Sequence, residues 1–198
     1  LSIEQGEKMV ARVICQGHNG IATERYTYDG YKSCATAAGV AGGPKLCRFA
    51  CIGLGDCVQV CPFGAMEVRD GLVRVDRSKC TGCGVCVAAC PRGILELTPQ
   101  RGRVAVYCNT RDKLRAVMDV CDVGCIKCGK CIKTCPAKAV RLEDNRIVID
   151  HLLCLSYGPI CEEACVGTCP RHILRSTRNP LVPRAVADAD DKAATPPA

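Results

Sequence analysis

The 198-residue chain has no Trp, two Phe and five Tyr. With so few rings, its apolar core has to come from Val, Ile, Leu and Ala, and a domain built that way is marginal on burial alone and needs a staple. No apolar run approaches the roughly 20 residues of a membrane-spanning helix, and no secretory signal is visible. There is no Walker loop, dinucleotide fingerprint, Ser-His-Asp pattern or flavin site; the glycine-rich stretch 39–43 runs into Pro44 without the strand–turn–helix setting of a phosphate loop. His18, His151 and His172 have no ligand partners in pattern and read as structural or exposed. Aromatic–basic interleaving, RNP-like runs and helix-turn-helix patterns are missing too, which argues against a nucleic-acid partner. The chain has no catalytic residues of its own.

What it has is cysteine. Twenty are present, and sixteen fall into four blocks that each end in Cys-Pro: Cys61-Pro62, Cys90-Pro91, Cys135-Pro136 and Cys169-Pro170. A secreted disulfide scaffold is the bland reading. The regular Cys-x-x-Cys pairs and the recurring Cys-Pro speak against it, and point to thiolates kept in a reducing, cytosolic compartment. Two blocks, Cys80/Cys83/Cys86/Cys90 and Cys125/Cys128/Cys131/Cys135, are complete C-x2-C-x2-C-x3-C-P runs. That is the bacterial ferredoxin spacing for [4Fe–4S] cubanes, in which the fourth cysteine ligates the neighbouring cluster.

The crossing rule assigns Cys80, Cys83 and Cys86 with Cys61, and Cys47, Cys51 and Cys57 with Cys90. It likewise assigns Cys125, Cys128 and Cys131 with Cys169, and Cys154, Cys161 and Cys165 with Cys135. The Cys47 block is irregular, and the Cys154 block has lost the two-residue gaps, so a lost or three-iron cluster is an alternative there. Zinc is the other alternative for any four cysteines, and a zinc-stapled interaction module is the non-redox rival. Cys15, Cys34, Cys108 and Cys121 remain. They are spare buried thiols or a fifth cluster; in an intermediate option Cys121 replaces Cys128, mirroring Cys47. The expectation is four [4Fe–4S] clusters, with a fifth open. Because ligand binding doubles as folding free energy, the apo-protein should be largely unfolded.

The expected fold is α+β: two dicluster ferredoxin-like modules in tandem, with short β-hairpins, short helices and many loops. Residues 1–46 form an N-terminal extension with a strand over 9–14, Cys15, and a short helix over 33–40 containing Cys34. The first module spans 47–100, with a hairpin of 65–68 and 72–75. Residues 101–120 connect through a strand ending at Cys108 and a helical stretch over 111–120. The second module spans 121–175, with a hairpin of 139–142 and 146–149, and the Pro/Ala/Asp tail 176–198 reads as disordered. Cys47-x3-Cys51-x5-Cys57-x3-Cys61-Pro62 lies over Cys121-x3-Cys125-x5-Cys131-x3-Cys135-Pro136 without a gap, with Leu54 opposite Cys128. This is an internal duplication.

The formal charge of +7 counts every cysteine as neutral. An oxidised cubane with four thiolates carries about −2, so four clusters bring the total to about −1. The basic excess then reads as compensation for anionic clusters. Lys127, Lys130 and Lys133 interleave with ligands, and Lys138 and Arg141 follow; they could raise a cluster potential, steer an acidic partner, or simply form a solvated face.

At 45–62, Lys-Leu-Cys-Arg-Phe-Ala-Cys-Ile-Gly-Leu-Gly-Asp-Cys-Val-Gln-Val-Cys-Pro, the chain resembles the B subunit of the Rnf complex. The resemblance extends over about 9–175 and includes Val13-Ile14-Cys15-Gln16-Gly17, Tyr28-Asp29-Gly30, Gly42-Gly43-Pro44-Lys45 and the Val106–Lys113 segment. It implies that Cys15, Cys34, Cys108 and Cys121 occupy family cysteine positions. It also implies a relay from soluble ferredoxin, or another low-potential donor, towards flavin-bearing subunits of a membrane enzyme that couples ferredoxin oxidation and NAD reduction to ion translocation. The location implied is the cytoplasmic side of a membrane, through partner subunits or an N-terminal anchor. The family's anchor and small preceding cluster domain are not among these residues, so the chain reads as an excerpt or a soluble relative. The rival within redox proteins is the iron–sulfur subunit of a soluble oxidoreductase with a separate catalytic subunit.

Overall fold

The computed structural model describes residues 7–177. The start of the N-terminal extension, before residue 7, and the tail from residue 178 lie outside the described residues. Short strands and helices alternate along the chain, in the mixed α+β class expected. The first half holds strand β1 (Met9–Val13), helix α1 (Cys34–Gly39), helix α2 (Asp56–Gln59), strands β2 (Met66–Arg69) and β3 (Leu72–Val75), helix α3 (Val85–Ala89) and strand β4 (Leu95–Pro99). The second holds β5 (Val104–Val106), α4 (Leu114–Met118), α5 (Lys130–Thr134), β6 (Val140–Glu143), β7 (Arg146–Ile149), α6 (His151–Tyr157), a 3-10 turn (Pro159–Cys161), α7 (Ala164–Gly167) and β8 (Leu174–Ser176).

Four antiparallel pairs organise these elements, β1 with β4, β2 with β3, β5 with β8 and β6 with β7. Both hairpins close through two-residue loops whose residues all have positive φ: Asp70 and Gly71 in one, Asp144 and Asn145 in the other. That is the type I′ geometry, whose twist matches the flanking strands. The other two pairs are long-range. Met9 faces Pro99 and Val13 faces Leu95, so the strand of the N-terminal extension pairs with the end of the first module. Val104 faces Ser176, and the strand read as a connector likewise closes the second. The duplication therefore extends to both outer strands. The helical stretch expected over 111–120 is shorter, only Leu114–Met118.

Each half has its own small core. Val10, Ile14, Ala50, Leu72, Val73, Ile94 and Leu95 pack with buried cysteines in the first. Val104, Val106, Val140, Ile147, Ile173 and Leu174 do so in the second. Cysteine is a structural member of both cores, which is why what binds the thiols bears on folding. The halves are joined by the stretch after β1: Gln16 Nε2 donates to Val123 O at 3.0 Å, and Thr23 N donates to Val120 O at 3.1 Å. Side chains add to this seam. Arg146 Nη2 meets Glu96 Oε2 at 3.4 Å, and Asn109 Nδ2 donates to Gly93 O at 3.2 Å.

Candidate iron–sulfur sites

The recurring Cys-Pro is a turn starter. In each block the carbonyl of the last cysteine accepts a hydrogen bond from the residue three places on: Gly64, Gly93, Lys138 and His172, at 3.4, 3.2, 3.1 and 3.2 Å. Proline occupies the second turn position, where its fixed φ is already suitable. The third ligand of a block has its own device. Gly55, Gly84 and Gly129 enter α2, α3 and α5 with φ of 90°, 81° and 71°, and Cys57, Cys86 and Cys131 lie two residues further on. At the irregular block Glu163 does this job with φ 55°, preceded by Glu162 at 47°, ahead of Cys165.

These devices gather the thiols in fours around cavities. Cys61, Cys80, Cys83 and Cys86 line one of about 330 Å³, its mouth included. Cys125, Cys128, Cys131 and Cys169 line another of about 300 Å³. Cys135, Cys154, Cys161 and Cys165 line a third of about 400 Å³, so helix α6 and the 3-10 turn bring Cys154 and Cys161 back despite the lost spacing. Each of these three cavities is thus lined by four cysteines that the crossing rule assigns together, without showing what they bind.

The fourth group differs. Cys51, Cys57 and Cys90 line a cavity of about 350 Å³ with Cys34, and Cys47 is not among its lining residues. The cause is the Asp56 carboxylate at the start of α2. It accepts from Cys34 N at 2.7 Å, Ala35 N at 3.1 Å and Ser33 Oγ at 3.0 Å, drawing the N-terminus of α1 onto the site. Burial opposes ionisation of Asp56, but those hydrogen bonds outweigh it and hold its carboxyl below the usual range. Cys34 thus stands where Leu54 leaves the second module's Cys128 without a counterpart, and Leu54 packs against the small apolar cluster around Cys34.

None of His18, His151 or His172 lines these four cavities. Among the described residues, no group of three or more His, Cys, Asp or Glu side chains is gathered for a single metal ion. Four sulfurs spaced around a cavity suit a polynuclear group instead. Burial pushes Cys51, Cys57 and Cys165 up to about 12 and Cys131 to about 11, with neighbouring thiolates adding to the effect. Thiols held neutral by burial become thiolate ligands once a cationic iron core favours their deprotonation. Backbone donors are also aimed at sulfur: Ala11 N lies 3.3 Å from Cys80 Sγ. By donor chemistry, number and enclosure, the residues fit [4Fe–4S] clusters.

Charge is distributed unevenly. Arg103 is buried beside the irregular block, with Nη2 3.8 Å from Cys161 Sγ, Nε 3.7 Å from Glu163 Oε1 and Nη1 on the Gly158 carbonyl. Sequence reasoning missed it, since an arginine before a strand carries no ligand signal. Lys127 is half-buried and donates to the Asp112 carbonyl, while Lys130, Lys133, Lys138 and Arg141 are exposed.

Two families, each a 4Fe-4S dicluster domain, match the chain, one over residues 44–91 and the other over residues 79–140. The chain is an iron–sulfur protein with tandem 4Fe-4S dicluster domains. It is 42% identical over 172 residues to the B subunit of the proton-translocating ferredoxin:NAD(+) oxidoreductase complex of Clostridium ljungdahlii, covering 86% of this chain and 59% of the relative. It is 41% identical over 170 residues to the B subunit of the ion-translocating oxidoreductase complex of Methanosarcina acetivorans, 85% of this chain and 62% of that one. To the B subunit of the Na(+)-translocating ferredoxin:NAD(+) oxidoreductase complex of Acetobacterium woodii it is 42% identical over 168 residues, 84% and 49%. Over 84–86% of its length the chain is thus similar to B subunits of ion-translocating, Rnf-type oxidoreductase complexes, the family that the sequence resemblance named. It spans between 49% and 62% of the length of these relatives. Among the described residues, no helix is long and apolar enough to cross a membrane.

Proposed function

We propose that this chain is an electron-transfer polyferredoxin, with [4Fe–4S] clusters at the four sites above, working inside a multi-subunit ferredoxin:NAD oxidoreductase complex at a membrane. The carrying observation is that a cysteine from one end of each module closes a cavity lined by the block at the other end. Bound clusters supply one-electron redox chemistry whose potential is tuned by charge, hydrogen bonds and exposure. The protein's part is to hold them apart from bulk solvent at fixed positions. Proximity runs from site to site: Cys57 lies near enough to Cys86 for their thiolates to repel, and so do Cys165 and Cys131. The names of its relatives support a reduced ferredoxin as donor and other subunits of such a complex as partners.

Iron and acid-labile sulfide per chain, with EPR of the reduced protein, test the cluster reading. At least about sixteen irons is the expected result for four cubanes; eight or fewer, in protein purified without oxygen, sinks it. Isolation of the full-length protein from its source decides the setting. Co-purification with membrane subunits is expected, and a water-soluble catalytic partner alone would favour the soluble-oxidoreductase reading instead.

A further inference from the structure

Four cysteines lie outside the four sites, and they are not the four that the spacing leaves over: Cys34 has been taken up, and Cys47 released. The released set is Cys15, Cys47, Cys108 and Cys121, and it follows the internal duplication. Cys15 and Cys108 each come two residues after the first strand of a half, β1 and β5. Cys47 and Cys121 each come four residues before Cys51 and Cys125, the equivalent ligands of the two halves. Each half therefore contributes the same two thiols.

The structure brings all four to the seam between the halves. Thr23 holds both flanks, since its N donates to Val120 O at 3.1 Å while its carbonyl accepts from Leu46 N at 2.9 Å. Those contacts set Cys121 and Cys47 beside one another. A Cβ on Gly17 would lie 3.7 Å from Cys15 Sγ and 3.8 Å from Cys121 Sγ, so these sulfurs flank one point. Cys15 is close enough to Cys47, Cys108 and Cys121 for thiolate charge to be felt at each. Backbone donors converge as they do at the other sites, Cys125 N on Cys108 Sγ at 3.2 Å and Gly17 N on Cys15 Sγ at 3.4 Å.

A second observation points to an anion. Lys45 is 3% exposed, donates to the carbonyls of Gly17 and Gly71 at 3.0 Å each, and pairs with no carboxylate among the described residues. A buried ammonium without a counter-charge is costly. Arg171 adds a second cation, with Nη2 2.9 Å from Cys121 O. Lys45 acts on Cys51, itself within reach of Cys15, and Arg171 acts on Cys121, so a four-thiolate cluster of about −2 at the seam would lie between the two cations.

We propose that Cys15, Cys47, Cys108 and Cys121 hold a fifth [4Fe–4S] cluster at the seam between the halves. The inference rests on the reading of the other sites as cubane sites. Its position is that of a missing link. Cys51 of the first half neighbours Cys15, and Cys125 of the second neighbours Cys108, so the seam site touches one of the four sites on each side.

The test is iron and sulfide per 198-residue chain, with EPR, for the wild type and paired variants. The wild type should hold about twenty irons. Cys47→Ala, Cys121→Ala and the double variant should each lose the same cluster, about four irons, and keep the signals of the rest. Cys34→Ala combined with Cys121→Ala should lose about twice as much, because those residues serve different sites. A wild type with about sixteen irons, unchanged in the Cys47/Cys121 double variant, overturns the fifth site and leaves the four-site reading intact. An additive loss for the Cys47/Cys121 pair also overturns it, because Cys47 would then belong elsewhere. Eight or fewer irons in the wild type overturns both readings.

Discussion

Asp56 is the residue that decides which thiol completes the site shared by Cys51, Cys57 and Cys90. Helix α1 is six residues long and cannot hold itself together. Its N-terminus is docked by the Asp56 hydrogen bonds to Cys34 N, Ala35 N and Ser33 Oγ at 2.7, 3.1 and 3.0 Å. Hydrogen bonds to a charged group contribute about 1.5–3 kcal/mol each when buried. Asp56 is only partly buried, and solvent screening brings each down to roughly 0.5–1 kcal/mol. Asp56→Ala should therefore cost about 1.5–3 kcal/mol and free Cys34. Iron per chain should fall by one cluster, and the midpoint of urea-induced bleaching should drop. Asp56→Asn keeps one acceptor oxygen but turns an amide towards a donor, so its loss should be intermediate. Full iron content in Asp56→Ala, with a stability change under about 0.5 kcal/mol, would refute the argument, since Cys34 would then need no bracket.

Other outcomes follow from separate features. Arg103→Met removes the buried cation beside Cys161 and leaves Glu163 unpaired, so the potential of the cluster at Cys135, Cys154, Cys161 and Cys165 should fall. A single charge about 4–8 Å away at an effective dielectric near 20 makes that on the order of 90–180 mV; an EPR-monitored redox titration reads it, with Arg103→Lys closer to wild type. Gly82→Ala would drive a Cβ into the Met9 carbonyl at a residue with φ +74°. The strained backbone alone costs about 1–2 kcal/mol, and thermal bleaching of the first module should come earlier. His151 is held below its ordinary value by burial, with the Arg12 charge adding to it. A histidine kept neutral in the fold contributes stability above its unfolded pKa of about 6.5 that is lost as pH falls through that value towards the folded one. The urea midpoint should therefore drop between pH 7.5 and 5.5, and His151→Gln should flatten that slope. Stripping the iron with a chelator under argon should abolish most far-UV dichroism, because the two cores are small and cysteine-rich; a retained cooperative unfolding transition would contradict this.

Local chemistry was legible in the sequence. The hairpins at 66–75 and 140–149 and the Cys-Pro turns follow from short-range spacing and turn residues. The exchange of Cys47 for Cys34 was not, because the bond that selects Cys34 spans 22 residues and uses a carboxylate that carries no ligand pattern. A signal for it did exist in the gapless overlay of the halves. Cys47 lies over Cys121, which the second block does not use, and Leu54 lies over Cys128, which it does. The pairing of Met9–Val13 with Leu95–Pro99 was equally hidden, since no local periodicity couples strands so far apart.

The stretch between β1 and the first cysteine block runs through both halves, and this has a practical corollary for dissecting the protein. A fragment beginning at residue 47 would follow the cysteine blocks, yet it would strip β4 of its partner and the Cys51/Cys57/Cys90 site of Cys34. A fragment beginning at residue 101 would keep β5 and β8 but lose Gln16 and Thr23, which brace Val123 and Val120 from outside. The two copies left by duplication have become interlocked, so neither can be excised, swapped or circularly rearranged as a free-standing unit.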